Sequence, residues 1–243
     1  MRPGRLLLSA FLLTLAPAPG AFAQPKLDGR PAFVGETLRY AMSVLGASGG
    51  ELTLSAKETQ LDGKPAYKFE LSAISNDFLS KIFLVRDYLA SWIDPTTFRS
   101  LRFEKHTVEG KRVRDDLIEF DYEKKLAYRD GKPIGIEEST LDSLSSLYYI
   151  RLLDLEKQEP IELTVVSRRL FPLSVIVQGR ETIKTPAGTF RTIRVEPKSP
   201  SEGLLGKGKS LILWLTDDEK KIPVQLKSKL KVGTLVGKLK AIE

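Results

Sequence analysis

Between Ser139 and Leu155 the chain carries its one long helical pattern, and most of what surrounds it reads as strand. Leu141, Leu144, Tyr148, Leu152 and Leu155 recur at steps of three and four residues. They mark one face of a helix about 24 Å long at roughly 1.5 Å per residue. Ser139 and Asp142 predict an N-terminal cap, supplying an oxygen and a negative charge to the free N–H groups of the first turn. Tyr149, Ile150 and Leu153 make the opposite side apolar as well. A helix apolar on both sides has to be enclosed, not laid against a single surface. The expected fold is therefore mainly β: a large antiparallel curved sheet or unclosed barrel, with this helix (about residues 140–155) plugging the concave face.

The strands around it follow from alternation and turn chemistry. Leu38, Tyr40, Met42 and Val44 alternate with polar or small residues, as a strand with one buried face requires. Asp62-Gly63 as a two-residue turn sets Leu52 opposite Ala73, Leu54 opposite Leu71 and Ala56 opposite Phe69, all on one side. It also sets Lys57 against Lys68 on the other. Charge chooses the register of the next hairpin. With a Gly110-Lys111 turn, His106 meets Asp115, Lys105 meets Asp116, Arg102 meets Glu119 and Phe103 meets Ile118. A turn one residue earlier would oppose Glu104 to Asp115 and Lys105 to Arg114, which like-charge repulsion disfavours. Asp130-Gly131 closes another hairpin. Later strands are expected at Ile161–Val166, Leu173–Val177, Arg180–Lys184, Thr189–Val195, Leu211–Thr216, Val224–Val232 and Thr234–Ile242. Phe78, Leu79, Ile82 and Phe83 predict a second, short helix near residues 76–83.

The first residues read as an export signal. Arg2 and Arg5 precede an apolar run, Leu6 to Leu15, too short to span a bilayer. Ala21-Phe22-Ala23 then offers a small-x-small cleavage site, which predicts processing after Ala23 and a periplasmic or secreted product. The organisation expected is a signal peptide (1–23), a leader (24–35) and a single β-rich domain (36–243) of about 200 residues, enough for a core of its own. The chain has no cysteine, so neither disulfides nor lipoprotein processing apply.

Candidate chemistry is sparse. His106 is the only histidine and lies near a hairpin tip opposite Asp115, where a surface ion pair is expected. Without cysteine, and with one histidine, zinc and copper lack ligands, and no metal or other cofactor is expected. Asp115, Asp116 and Glu119 have basic partners in the favoured register, which leaves no pair of carboxyls facing each other across a cleft. Gly203, Gly206 and Gly208, with Lys207 and Lys209, make a basic loop without the strand-to-helix context of a phosphate cradle. The chain is thus expected to be non-enzymatic.

Two binding features remain. Tyr67, Phe69, Leu71, Trp92 and Phe103, with Leu144 and Tyr148 of the plug, are candidates to line an apolar cleft. Phe78 and Ile82 of the short helix, and Leu204 of the glycine loop, would be lids over it. Lys227, Lys229, Lys231, Lys238 and Lys240 gather in the last two strands, where a polar outer face or contact with an anionic membrane surface is expected. Nucleic acid is not expected: no aromatic stacking pattern accompanies the lysines.

Several runs resemble a bacterial exported-protein family known as domain of unknown function 3108. They are Glu36-Thr37-Leu38-Arg39-Tyr40, Arg102-Phe103-Glu104-Lys105-His106, Glu119-Phe120-Asp121-Tyr122, Asp142-Ser143-Leu144-Ser145-Ser146-Leu147-Tyr148-Tyr149, Lys184-Thr185-Pro186-Ala187-Gly188-Thr189-Phe190 and Leu213-Trp214-Leu215-Thr216-Asp217-Asp218. The resemblance spans nearly all of the chain after the signal and transfers no catalytic residue. At the level of fold, the layout is similar to the periplasmic lipoprotein carriers of the LolA and LolB type, unclosed barrels plugged by helices around an apolar cavity. Together these readings favour a carrier for a lipid or other hydrophobic ligand. The alternative is a cell-envelope interaction or assembly protein that recruits a partner through an exposed sheet edge.

Overall fold

The computed structural model describes residues 29–156, 159–200, 210–230 and 233–243. The export signal, Leu204 with its glycine loop, and Lys231 lie outside the described residues. A first meander runs β1 (Thr37–Val44), β2 (Ala47–Leu61) and β3 (Lys64–Ser75), and a helical turn, α1 (Asp77–Ser80), leads on. Then come β4 (Val85–Ile93), β5 (Ser100–Glu109), β6 (Arg112–Asp121), β7 (Leu126–Arg129) and β8 (Lys132–Gly135). A short strand, β9 (Thr140–Asp142), enters the principal helix, α2 (Ser143–Ile150). The chain finishes with β10 (Ile161–Val166), β11 (Leu170–Thr185), β12 (Gly188–Lys198), β13 (Ser210–Thr216), β14 (Pro223–Leu230) and β15 (Gly233–Ile242).

All fifteen strands form one sheet, ordered β8-β7-β6-β5-β4-β3-β2-β1-β15-β14-β13-β12-β11-β10-β9. Its two edges, β8 and β9, are consecutive in the chain, with residues 136–139 between them. Five steps of extended chain reach at most roughly 18 Å, whereas fifteen flat strands would be about 70 Å across. The sheet must therefore curl until its edges approach. A side chain stitches the seam without closing the ladder, Tyr122 Oη donating to Thr140 O (2.8 Å), and within the connection the Glu137 amide donates to Thr140 Oγ1 (2.9 Å). The result is an unclosed barrel.

The expected hairpin registers hold. Leu54 pairs with Leu71, Ala56 with Phe69 and Lys57 with Lys68, while Phe103 pairs with Ile118, Lys105 with Asp116 and His106 with Asp115. Asp62 and Gly63 both take positive φ (50° and 79°), as a tight hairpin turn demands. Glu70 relieves the Lys57–Lys68 opposition, with carboxylate oxygens 2.7 and 2.9 Å from the two ammonium groups. The strands expected at Leu173–Val177 and Arg180–Lys184 are a single strand, β11, carried through a bulge between Val177 and Gly179.

Both helices are shorter than expected. α2 has eight residues, not the span from 140 to 155. Its first turns are lost to a strand, because Thr140, Leu141 and Asp142 pair in parallel with Thr164, Val165 and Val166 of β10. The cap is accordingly Asp142, not Ser139, and Leu152 and Leu155 lie in turns beyond the C-terminus. Near residues 76–83 only Asp77–Ser80 are helical. Enclosure nevertheless follows the expected logic: Leu144, Tyr148, Tyr149 and Ile150 are all buried.

The plug is fixed at both ends. The Asp142 carboxylate, wholly buried, accepts from the Leu144 and Ser145 amides (2.8 and 2.9 Å) and from the hydroxyls of Ser91 in β4 and Ser100 in β5 (2.5 and 2.7 Å). Burial raises its pKa, and these hydrogen bonds oppose that rise. At the other end the buried Arg151 guanidinium holds Glu36 with two nitrogens and donates to the carbonyl of Lys220 (3.0 Å). Between them Tyr148 stacks on Phe69 of β3, with ring centroids 4.1 Å apart, and Phe33 and Phe98 complete an aromatic cluster.

Candidate functional site

The hairpin registers arrange the concave face into rows. One row reads Leu54, Leu71, Leu89, Lys105 and Asp116 across β2 to β6; the next, nearer the α1 end, reads Leu52, Ala73, Asp87, Thr107 and Arg114. The row below them, Ala56, Phe69, Ser91, Phe103 and Ile118, is fully buried. The interior thus has two zones. Toward the plug it is filled by the protein's own aromatic rings. Toward α1 its apolar residues Leu71, Ala73 and Leu89, with Leu226 and Leu235 of the facing strands, are only half-buried.

This divides the expected cleft residues. Tyr67, Phe69, Phe103, Leu144 and Tyr148 belong to the packed zone, at 0–7 % exposure within the one buried core, and Phe69 and Tyr148 stack on each other. Leu71 lies on the half-open wall. Trp92 is on the other side of the sheet: it pairs with Lys68, whose ammonium lies 4.7 Å above its ring, so it is an outer-face residue and not a lining one. Strand parity decides this, since Trp92 is out of step with Ser91 and Ile93, which point inward. Phe78 and Ile82 stand exposed at the rim (66 % and 73 %) and do not cover the wall.

Cross-strand pairing alone does not say which way a charged side chain faces, and the half-open wall has a charged end. Lys105 and Thr107 share the parity of Phe103, and Arg114 and Asp116 that of Ile118, so all four face inward. Asp116 is held by Arg129 of β7. Lys105 and Arg114 are half-buried and form no ion pair within 4 Å among the described residues. They lie diagonally across the β5–β6 ladder, with Cα atoms about 7–8 Å apart. The inner surface also carries two buried hydroxyls without a protein partner, Tyr148 Oη and Ser228 Oγ. Chemically this is an amphipathic wall: leucines on one side, Lys105 and Arg114 beside them with the carboxylates of Asp87 and Asp116, and hydroxyls deeper in.

Elsewhere the polar groups have structural roles. His106 Nδ1 and Asp115 form the expected surface pair at 2.5 Å, and Glu119 meets Arg102 at 3.0 Å. No group of three or more His, Asp or Glu side chains suited to a metal occurs among the described residues. Lys227, Lys229, Lys238 and Lys240 are exposed on the outer face, with Lys240 bound to Glu51 (2.9 Å). No helix among the described residues is long and apolar enough to cross a membrane.

Residues 39–240 match the family model described as "Protein of unknown function (DUF3108)". No curated protein matches significantly. Among solved structures, the chain is similar to a β-barrel-like protein of domain of unknown function DUF1849 from Brucella abortus. The two share 10 % identity with a TM-score of 0.61, over 88 % of this chain and 99 % of the other. At that identity the likeness shows the fold alone.

Proposed function

We propose that this chain, which belongs to the DUF3108 family, is a non-enzymatic binding protein that holds a lipid or other hydrophobic ligand against the half-open part of its inner wall. One observation carries the reading: Leu71, Ala73, Leu89, Leu226 and Leu235 line the concave face without being fully covered. Half-covered leucines on a concave surface forgo burial free energy of about 25 cal/mol per Å², which an apolar guest would recover. The neighbouring Lys105 and Arg114 suit the acidic head of an amphiphile. The export signal read in the sequence supports a periplasmic setting, and the exposed Lys227, Lys229, Lys238 and Lys240 support peripheral contact with an anionic membrane surface. The lipoprotein carriers remain an analogy of shape.

Recruitment of a partner by strand addition has less support. The edges are β8, four residues long and interrupted by Pro133, and β9, three residues long and wholly buried. Edges of that kind give little purchase to another chain. The test is to express the protein with its own signal, purify it, extract it with organic solvent and examine the extract by mass spectrometry. A co-purifying amphiphile near one per protein supports the proposal; a bare protein refutes it.

A further inference from the structure

We propose that the α1 end of the barrel is a docking surface for an anionic lipid bilayer, with Phe78 and Ile82 as the inserting groups. The inference refines the membrane contact proposed above, placing its principal surface at the rim and not on the outer-face lysines, and it does not depend on ligand binding. β1, β3, β5 and β14 all end here, and β2, β4, β6 and β15 begin here, so their connections form one rim. Of the nine large exposed apolar side chains among the described residues, that rim carries four, Leu45 (74 %), Phe78 (66 %), Ile82 (73 %) and Phe83 (48 %), joined on the adjoining outer wall by Ile74 (55 %) and Val113 (61 %). Isolated exposed leucines are ordinary, but a cluster confined to one end marks an interaction surface.

The cluster is held out, not loosely attached. Asn76 caps α1 through the Leu79 amide (2.8 Å) and reaches back to the Ser48 carbonyl (3.0 Å). Ser75 and Ser80 hydroxyls are 2.6 Å apart. Phe83 rests on Gly110, where a Cβ would come within 3.0 Å of its ring, and Leu45 rests on Gly233 at 2.4 Å by the same measure. These contacts brace the connections against one another, with Phe78 and Ile82 left facing outward.

Charge selects the occupant. Lys81, Arg86, Lys111 and Arg112 are all exposed around the cluster, against the exposed Asp77 and the half-buried Glu109. Lys229, exposed near the end of β14, adds to the positive side. Apolar side chains standing proud of a flat rim, rather than lining a groove, inside a cationic ring match the acyl boundary and the phosphates of an anionic leaflet. The half-open inner wall faces the same end, so docking would set its mouth on the bilayer.

The experiment is flotation of the protein with vesicles of phosphatidylglycerol and phosphatidylethanolamine, compared with phosphatidylcholine alone. The expected result is binding to the anionic vesicles, weakened at least tenfold by Phe78→Ser with Ile82→Ser, and by Lys81→Glu with Lys111→Glu. The chain lacks cysteine, so Phe78→Cys carrying an environment-sensitive dye should shift to the blue on anionic vesicles. The same dye on Thr97→Cys, in the turn at the opposite end, should not. Absence of vesicle binding by the unaltered protein would overturn the proposal. So would equal binding by the variants, a dye response at position 97 rather than 78, or loss of binding only with Lys227→Glu and Lys238→Glu.

Discussion

Asp142→Ala removes the group that ties the plug to the sheet. Its carboxylate caps α2 through two amides and accepts from Ser91 and Ser100, so one substitution breaks a helix cap and two interstrand anchors. Losing the cap costs about 1 kcal/mol. Ser91 loses its acceptor in a buried site, worth about 1–3 kcal/mol, while Ser100 keeps Ser145 as a partner at 2.9 Å. Relief of burying a carboxylate offsets part of this, giving a net loss of about 1–3 kcal/mol. Asp142→Asn keeps the capping oxygen and should lose about 1 kcal/mol or less at pH 7.

The sign with pH separates the two variants further. The folded-state pKa of Asp142 is raised by burial, so its contribution is fully present below the ordinary carboxylate value and fades as pH rises through the raised one. Over that window the unaltered protein should lose stability relative to Asp142→Asn, whose side chain does not titrate. Urea unfolding followed by far-ultraviolet circular dichroism, from about pH 4 to 8, measures both effects. An Asp142→Ala variant within about 0.5 kcal/mol of the parent, or parallel pH curves for parent and Asn variant, would refute the buried-anchor argument.

Three further outcomes are expected. Arg151→Met strands the Glu36 carboxylate and should cost about 3–5 kcal/mol by the same unfolding assay, with Glu36→Leu in the same chain restoring much of it. Tyr148→Phe deletes a buried hydroxyl without a partner while keeping the stack on Phe69, so stability should stay within about 1 kcal/mol of the parent or rise. Burial alone would raise the Glu70 pKa, but hydrogen bonds from Lys57, Lys68 and Tyr88 hold it at about 2. Its contribution is present above the ordinary carboxylate value and lost as pH falls toward 2, so Glu70→Gln should flatten the acid limb of the stability curve.

What was legible in the sequence was local. Turn residues and charge pairing fixed the hairpins, because Asp62-Gly63 and Gly110-Lys111 each admit one good register. The DUF3108 family, the antiparallel curl and the enclosed helix followed from motifs and periodicity. The shortening of α2 was not legible, because it comes from a three-residue parallel pairing with strand β10, about two dozen residues later. Ser139 and Asp142 were equally good caps until the fold brought Ser91 and Ser100 to one of them. Trp92 was misplaced because apolar character outweighed strand parity, although a tryptophan stacked under Lys68 is content on an outer face. Lys105 and Arg114 could have been placed correctly by parity with Phe103 and Ile118. Charge pairing chose the register and was silent on the face.

The central claim is that the half-open wall, and not the packed aromatic zone or the outer face, receives an apolar guest. A fluorescent fatty acid titrated into the protein tests it directly. Saturable one-site binding is expected, weakened at least tenfold by Leu71→Asp or Leu89→Asp and unchanged by Trp92→Ala. No saturation, or sensitivity at Trp92 without sensitivity at the two leucines, would contradict the account.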